Sequence, residues 1–166
     1  MEFIKIINSN IPIKPGYHFT FQEFFDPILA SEKKEYDIPE CLVDGVNYLR
    51  DYFKLPMYIT STLRSKDPMT SLHQTGRAVD LGMVDEKIRI EYINNFAEEM
   101  HNYKHSPLFF ALRARGVNGF GIEIGNCIHI DYRPDSRCNS KDDYGKFCIF
   151  SWDKVNGSIV VSDYNI

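Results

Sequence analysis

The apolar residues of this chain change period along its length. They recur every three to four residues in the earlier segments and every second residue in the later ones. From Pro39 to Lys54, Leu42, Val46, Leu49 and Phe53 fall at steps of four, three and four, so they share one helical face while Arg50, Asp51 and Lys54 point elsewhere. A proline opens that helix in its first turn. Glu86 to Tyr103 places Ile90, Ile93, Phe96, Ala97 and Met100 on a second helical stripe. Later, GFGIEIGNCIHIDYRP alternates as two strands turning at Gly125-Asn126, and KFCIFSW with SIVVSDY forms another pair turning at Asn156-Gly157. Helices first and mainly strands after them predict an α+β fold with an antiparallel sheet.

Shorter signals fill in the order. Thr20 before FQEFF reads as an N-cap followed by a short helix. MYITSTL has the β-branched alternation of a strand, and RSKDPMTS, with Pro68, reads as a loop. RAVDLGMV is short and apolar enough for a buried strand, and Pro107 to Arg115 is a further short helix stopped by Gly116. No internal repeat, low-complexity segment or linker divides the 166 residues, so one domain over residues 1–166 is expected.

Charge and composition narrow the function. A formal net charge of -4, with lysines spread along the chain, supplies no basic field for a nucleic-acid backbone. No stretch reaches the roughly 18 apolar residues of a membrane span, and MEFIKIINSNIPIKPG lacks the apolar run and cleavage site of a signal peptide, so a chain made in the cytoplasm is expected. Cys41, Cys127, Cys138 and Cys148 contain no C-x-x-C pair and are expected as free thiols.

Two segments carry ionisable residues where the pattern asks for apolar ones. In SLHQTGRAVDLG, His73 and Asp80 flank a turn containing Gly76; they are suited to hold a metal, though by themselves they more often describe a surface loop with an incidental His and Asp. In CIHIDYRP, His129 and Asp131 alternate with Ile128 and Ile130 and so point to one face, either a site or the solvated side of a half-buried sheet. Arg64, in STLRS at the end of the first predicted strand, is a third candidate. His18, His101 and His105 show no partner pattern, and Gly76 and Gly82 are expected to serve backbone geometry.

Taken in order, STLRS, SLHQTGRAVDLG and IHIDYR resemble the S-G-Y-R-S, S-x-H-x-x-G-x-A-x-D and H-x-D series of zinc D-alanyl-D-alanine carboxypeptidases. Phage endolysins and murein endopeptidases share that series. The resemblance runs over residues 17–134 and is loose beyond about residue 140. It implies an α+β fold of the hedgehog-like zinc peptidase type, an antiparallel sheet with helices packed on one side. His73, Asp80 and His129 then become ligands of Zn2+, with a fourth place left for water, the open arrangement of a catalytic site. Arg64 is implied to stabilise an oxyanion or hold a substrate carboxylate, and Ser71 to be a supporting or turn residue.

The chain departs from the family pattern at the general base. Many members place Glu three residues before the last histidine, where this chain has Asn126, and an amide cannot take a proton. Glu123, six residues before His129, is the nearest alternative, at a spacing similar to that of the hedgehog zinc domain; it equally reads as a strand carboxylate facing solvent. Asp131 is a further candidate for the base, though it is better suited to orient a ligand histidine or to bind a substrate ammonium group. The expected function is hydrolysis of an amide bond in peptidoglycan stem peptides, by a carboxypeptidase or endopeptidase released as a phage lysin or carried in a virion. Two alternatives stand beside it: a dipeptidase, and a zinc-binding domain that is a structural or binding part of a virion.

Overall fold

A computed structural model describes residues 1–25, 35–155 and 158–163. Nine strands and four α-helices occur among these residues, in the order β1 (Phe3–Ile6), α1 (Phe21–Phe25), β2 (Tyr36–Pro39), α2 (Glu40–Phe53), β3 (Tyr58–Ser61), β4 (Ala78–Gly82), α3 (Glu86–His101), α4 (Pro107–Ala114), β5 (Gly119–Glu123), β6 (Cys127–Asp131), β7 (Ser140–Asp142), β8 (Gly145–Val155) and β9 (Ser158–Asp163). The main sheet runs β3-β4-β6-β5-β8-β7, with β9 also paired to β8. The architecture is α+β, but the expected all-antiparallel sheet is corrected: β5 and β8 run parallel, Gly121 opposite Phe150 and Glu123 opposite Trp152. The connection between them is long enough to return the chain to the same edge, as a parallel pair requires.

Local chemistry explains most boundaries. Thr20 and Glu23 form a reciprocal cap on α1: the Thr20 N–H donates to the Glu23 carboxylate at 2.8 Å, and the Glu23 N–H donates to Thr20 Oγ1 at 3.4 Å. Pro39 stands at the N-cap of α2 rather than inside its first turn. Leu42, Val46 and Leu49 are fully buried there, as their spacing requires. Asp85 caps α3 through the Ile88 N–H, and Ser106 caps α4 through the Phe109 N–H. On α3 the expected stripe is rotated: Ile90 is 44% exposed, while Tyr92 is buried with its ring edge-on to Phe53 at 4.5 Å. The β5–β6 hairpin turns at Gly125-Asn126 as expected, closed by the Asn126 N–H to the Glu123 carbonyl at 2.9 Å. The Asn156-Gly157 turn lies outside the described residues.

Three strands had no counterpart in the sequence reading. Strands β1 and β2 form a separate antiparallel pair. Strand β7 is tied down by Arg113, whose guanidinium grips Asp142 at 2.8 and 2.9 Å. The four cysteines are free thiols.

The sheet has one apolar and one polar face. Val79, Leu81, Ile128, Ile130, Phe120 and Ile122 point into the core, where α2 and α3 lie against β4, β5 and β6. Their neighbours Asp80, His129, Asp131 and Glu123 point the other way and are nonetheless buried. Space for them comes from glycine: a Cβ at Gly119 would sit 1.9 Å from Asp131 Oδ1, and one at Gly121 would sit 2.7 Å from the Phe150 ring. Gly119→Ala is therefore expected to destabilise the fold by about 1–3 kcal/mol, the usual cost of overpacking, in equilibrium urea unfolding. An unchanged midpoint would show that Asp131 can leave its place freely.

Candidate metal centre

Two of the three proposed ligands are brought together by strand register alone. On the antiparallel β4–β6 ladder Asp80 is directly opposite His129, and Ala78 opposite Asp131. Directly opposed residues hold their Cβ atoms about 4.5–5.5 Å apart, close enough for a short acid and an imidazole to meet. His129 Nδ1 lies 2.7 Å from Asp80 Oδ1.

The third ligand arrives from a loop. His73 sits in a 3-10 turn, Leu72–Thr75, that ends at Gly76 with φ 66°. The turn is pinned by the Arg64 N–H to the His73 carbonyl and by the Arg77 N–H to the Leu72 carbonyl, both 2.9 Å. Just before the loop, β3 has an irregular register between Ile59 and Ser61, the kind of bulge that re-aims a chain beside a site. Beyond it the Thr62 carbonyl lies 2.7 Å from His73 Nδ1.

Outer partners fix which nitrogen of each imidazole faces inward. His73 Nδ1–H donates to the Thr62 carbonyl, so His73 Nε2 turns its lone pair to the cluster. His129 Nε2–H donates to Asp131 Oδ2 at 2.9 Å, so His129 Nδ1 does the same. The two inward nitrogens are 3.3 Å apart, and His73 Nε2 is 3.2 Å from Asp80 Oδ1. Three electron-pair donors, all buried, thus lie within 4.8 Å of one another. Acceptors do not bond to acceptors; a shared proton or a cation must sit among them. This buried His73-Asp80-His129 group can bind a metal ion.

With no cation present, the electrostatics favour the shared proton. Burial by itself would raise the Asp80 carboxyl, but the facing imidazoles of His129 and His73 outweigh it and hold Asp80 well below the usual carboxylate range. Burial would lower His129, but bonds to Asp131 and Asp80 outweigh it and raise the imidazole to about 9. Burial also works against Asp131, which Arg133 and His129 nevertheless keep lowered. Arg133 bridges both Asp131 oxygens, Nε to Oδ1 at 2.8 Å and Nη2 to Oδ2, and its guanidinium stacks 4.5 Å from the centre of the Phe150 ring. The Arg133 backbone is fixed in turn by two bonds to the Asn118 side chain, 2.8 and 2.9 Å.

The group lies at the base of a cleft of about 510 Å³ that Arg64, Glu123, Phe150 and Trp152 also line. Arg64 Nη1 is 3.8 Å from Asp80 Oδ2, and its Nε faces Asp67 at 2.8 Å as an ion pair rather than an aligned hydrogen bond. Ser71 supports Asp67 through a 2.8 Å bond. Glu123 is buried at the cleft wall, where the Cys127 thiol donates to its Oε2 at 3.5 Å, whereas Asn126 sits in the exposed turn. Asp131 is fully buried, with its oxygens engaged by His129 and Arg133.

Of the remaining histidines, His18 pairs with Asp51 at 2.6 Å on the surface. His101 and His105 are exposed. The sequence reading missed Thr62, Arg133 and the stacked Phe150–Trp152 pair, whose rings lie 5.6 and 5.7 Å from the His129 ring. The arginine stands two positions after Asp131, and the aromatics alternate along β8; both signals needed the β5–β8 pairing to acquire meaning.

No family model, curated protein or solved structure matches this chain. No described helix is long and apolar enough to cross a membrane.

Two outcomes follow for the metal. With Asp131 and Asp80 raising the His129 imidazole to about 9, a second ring proton is favoured at pH 7 in the metal-free protein, and loading a divalent cation there is expected to release about one proton. Calorimetry in buffers of different ionisation enthalpy measures that number, and zero release would mean that His129 is not displaced from its proton by the ion. Asp131→Asn, which exchanges the carboxylate behind His129 for an amide, is expected to weaken metal binding about 10–100-fold in the same titration.

Proposed function

We propose that this chain is a zinc-dependent peptidase that hydrolyses an amide bond in peptidoglycan stem peptides. The observation that carries the proposal is the convergence of three buried ligand atoms at the base of a cleft that Arg64 and Glu123 also line. Two imidazoles and one carboxylate make a donor set that suits Zn2+, and three protein ligands are the number found in catalytic zinc sites. The ordered likeness of STLRS, SLHQTGRAVDLG and IHIDYR to the zinc D-alanyl-D-alanine carboxypeptidases supports the same reading.

When bound, zinc supplies Lewis acidity: it acidifies water and polarises a carbonyl. The chain's own residues supply the rest. Glu123 is the wall carboxylate offered as general base, taking a proton from attacking water and returning it to the departing amine. Arg64, beside Asp80, offers a fixed positive fork to the carbonyl oxygen as charge gathers there, or to a substrate carboxylate. Asp131 and Thr62 hold the two imidazoles in the tautomer that binds metal. A lysin released from a cell, or a virion component, would meet such a substrate.

Asn126 at the family's usual glutamate position favours a second reading, a zinc-binding domain without turnover. Incubation of the zinc-loaded protein with cell-wall fragments separates the two. The peptidase reading expects new amino termini, lost about 10²–10⁴-fold in Glu123→Gln while bound zinc stays the same. Full activity in Glu123→Gln would remove the base from Glu123. Stoichiometric zinc with no cleavage would replace the enzyme with the binding domain.

A further inference from the structure

The cleft extends well past the metal ligands, and its far end has its own chemistry. In the sheet, β4 is separated from β8 by β6 and β5. Three strand spacings of about 4.8 Å set the two ends roughly 14 Å apart. Arg64 stands at the β4 end, 3.8 Å from Asp80. At the β8 end a 3-10 turn, Asp135–Arg137, packs on β8 and brings Arg137 to the cleft lining, beside Phe150 and Trp152.

The arginines of the cleft differ in how their charge is used. Arg64 faces Asp67 and Asp80, and Arg133 is committed to Asp131. Arg137 is exposed and forms no ion pair among the described residues. In the same lining the Phe150 and Trp152 rings stack on each other at 5.6 Å and 21°, with the Arg133 guanidinium 4.5 Å from the Phe150 ring, an aromatic wall beside the His129 ring.

We infer that the β8 end of the cleft is a subsite for a carboxylate of the substrate, held by Arg137, which makes the ligand an acidic peptide. This inference rests on the peptidase reading for the nature of the ligand. The ligand strands β4 and β6 lie three and two spacings from β8, roughly 10–14 Å, and an extended peptide advancing about 3.4 Å per residue covers that in three or four residues. The carboxylate recognised by Arg137 is therefore three or four residues from the amide at the metal, and the intervening chain passes the Phe150–Trp152 pair. A guanidinium fork binds a carboxylate through two parallel charge-assisted bonds, whereas a carboxamide offers it one acceptor oxygen and no opposite charge.

Trp152 is the only tryptophan of the chain, so intrinsic fluorescence reports on this end of the cleft directly. The test mixes zinc-loaded protein with matched peptides that carry either a carboxylate or a carboxamide at the third or fourth residue from the candidate amide. Amplitudes are read at mixing, before turnover. The wild-type protein is expected to bind one acidic peptide about fivefold more tightly than its amide twin, in keeping with a partly exposed ion pair. Arg137→Gln erases the difference and Arg137→Glu reverses it. Equal binding of acid and amide by the wild type, or a preference that survives in Arg137→Gln, overturns the inference. Because the readout is binding, a preference seen without any cleavage keeps the subsite and removes the peptidase, whereas cleavage without a preference does the reverse.

Discussion

The register of β4 against β6 is the constraint on which the rest depends. With Asp80 opposite His129, the two ligand atoms meet across the ladder without help from any loop. A slip of one residue would turn Val79 and Ile130 to the cleft and bury the charged groups among the helices. The register is held from the other face, where Val79, Leu81, Ile128 and Ile130 fill the core beneath α2 and α3. Hydrophobic packing on one side of the sheet thus positions polar chemistry on the other.

That chemistry is arranged in layers. The inner layer brings three acceptors together, an arrangement that is unfavourable in a buried site unless positive charge occupies it. The next layer, Thr62 and Asp131, selects the inward-facing nitrogens. Arg133 then keeps Asp131 ionised, is itself sandwiched against Phe150, and is fixed through its backbone by Asn118. Gly119 allows all of this, since any side chain there would occupy the place of the Asp131 carboxylate. Each outer residue acts on the metal site only through the one inside it, and for that reason Arg133 and Asn118 matter without touching the cleft's centre.

Elements with strong periodicity were legible in the sequence, and those defined by distant pairing were not. Helix α2 follows from Leu42, Val46 and Leu49, and the β5–β6 hairpin from its alternation and its Gly125-Asn126 turn. On α3 the aliphatic count favoured Ile90, but tertiary packing chose Tyr92, whose large ring meets Phe53. Strands β1 and β2 are four residues each and join positions thirty or more residues apart, too short and too distant for a local pattern to reveal. Alternation tells which residues share a face and is silent on which strand lies beside which, so the parallel β5–β8 pair and the placement of Phe150 and Trp152 beside His129 came only with the structure. The ligand trio was legible as three separate segments in order; their meeting point depended on a register and a bulge.

The central claim is that His73, Asp80 and His129 close on one cation. X-ray absorption at the zinc edge, on protein loaded with one equivalent of zinc, tests it most directly. The account predicts a shell of nitrogen and oxygen scatterers at about 2.0–2.2 Å with the outer-shell signature of imidazole rings, lost in His129→Ala. A first shell dominated by sulfur at about 2.3 Å would contradict it, since the metal would then belong to the cysteines.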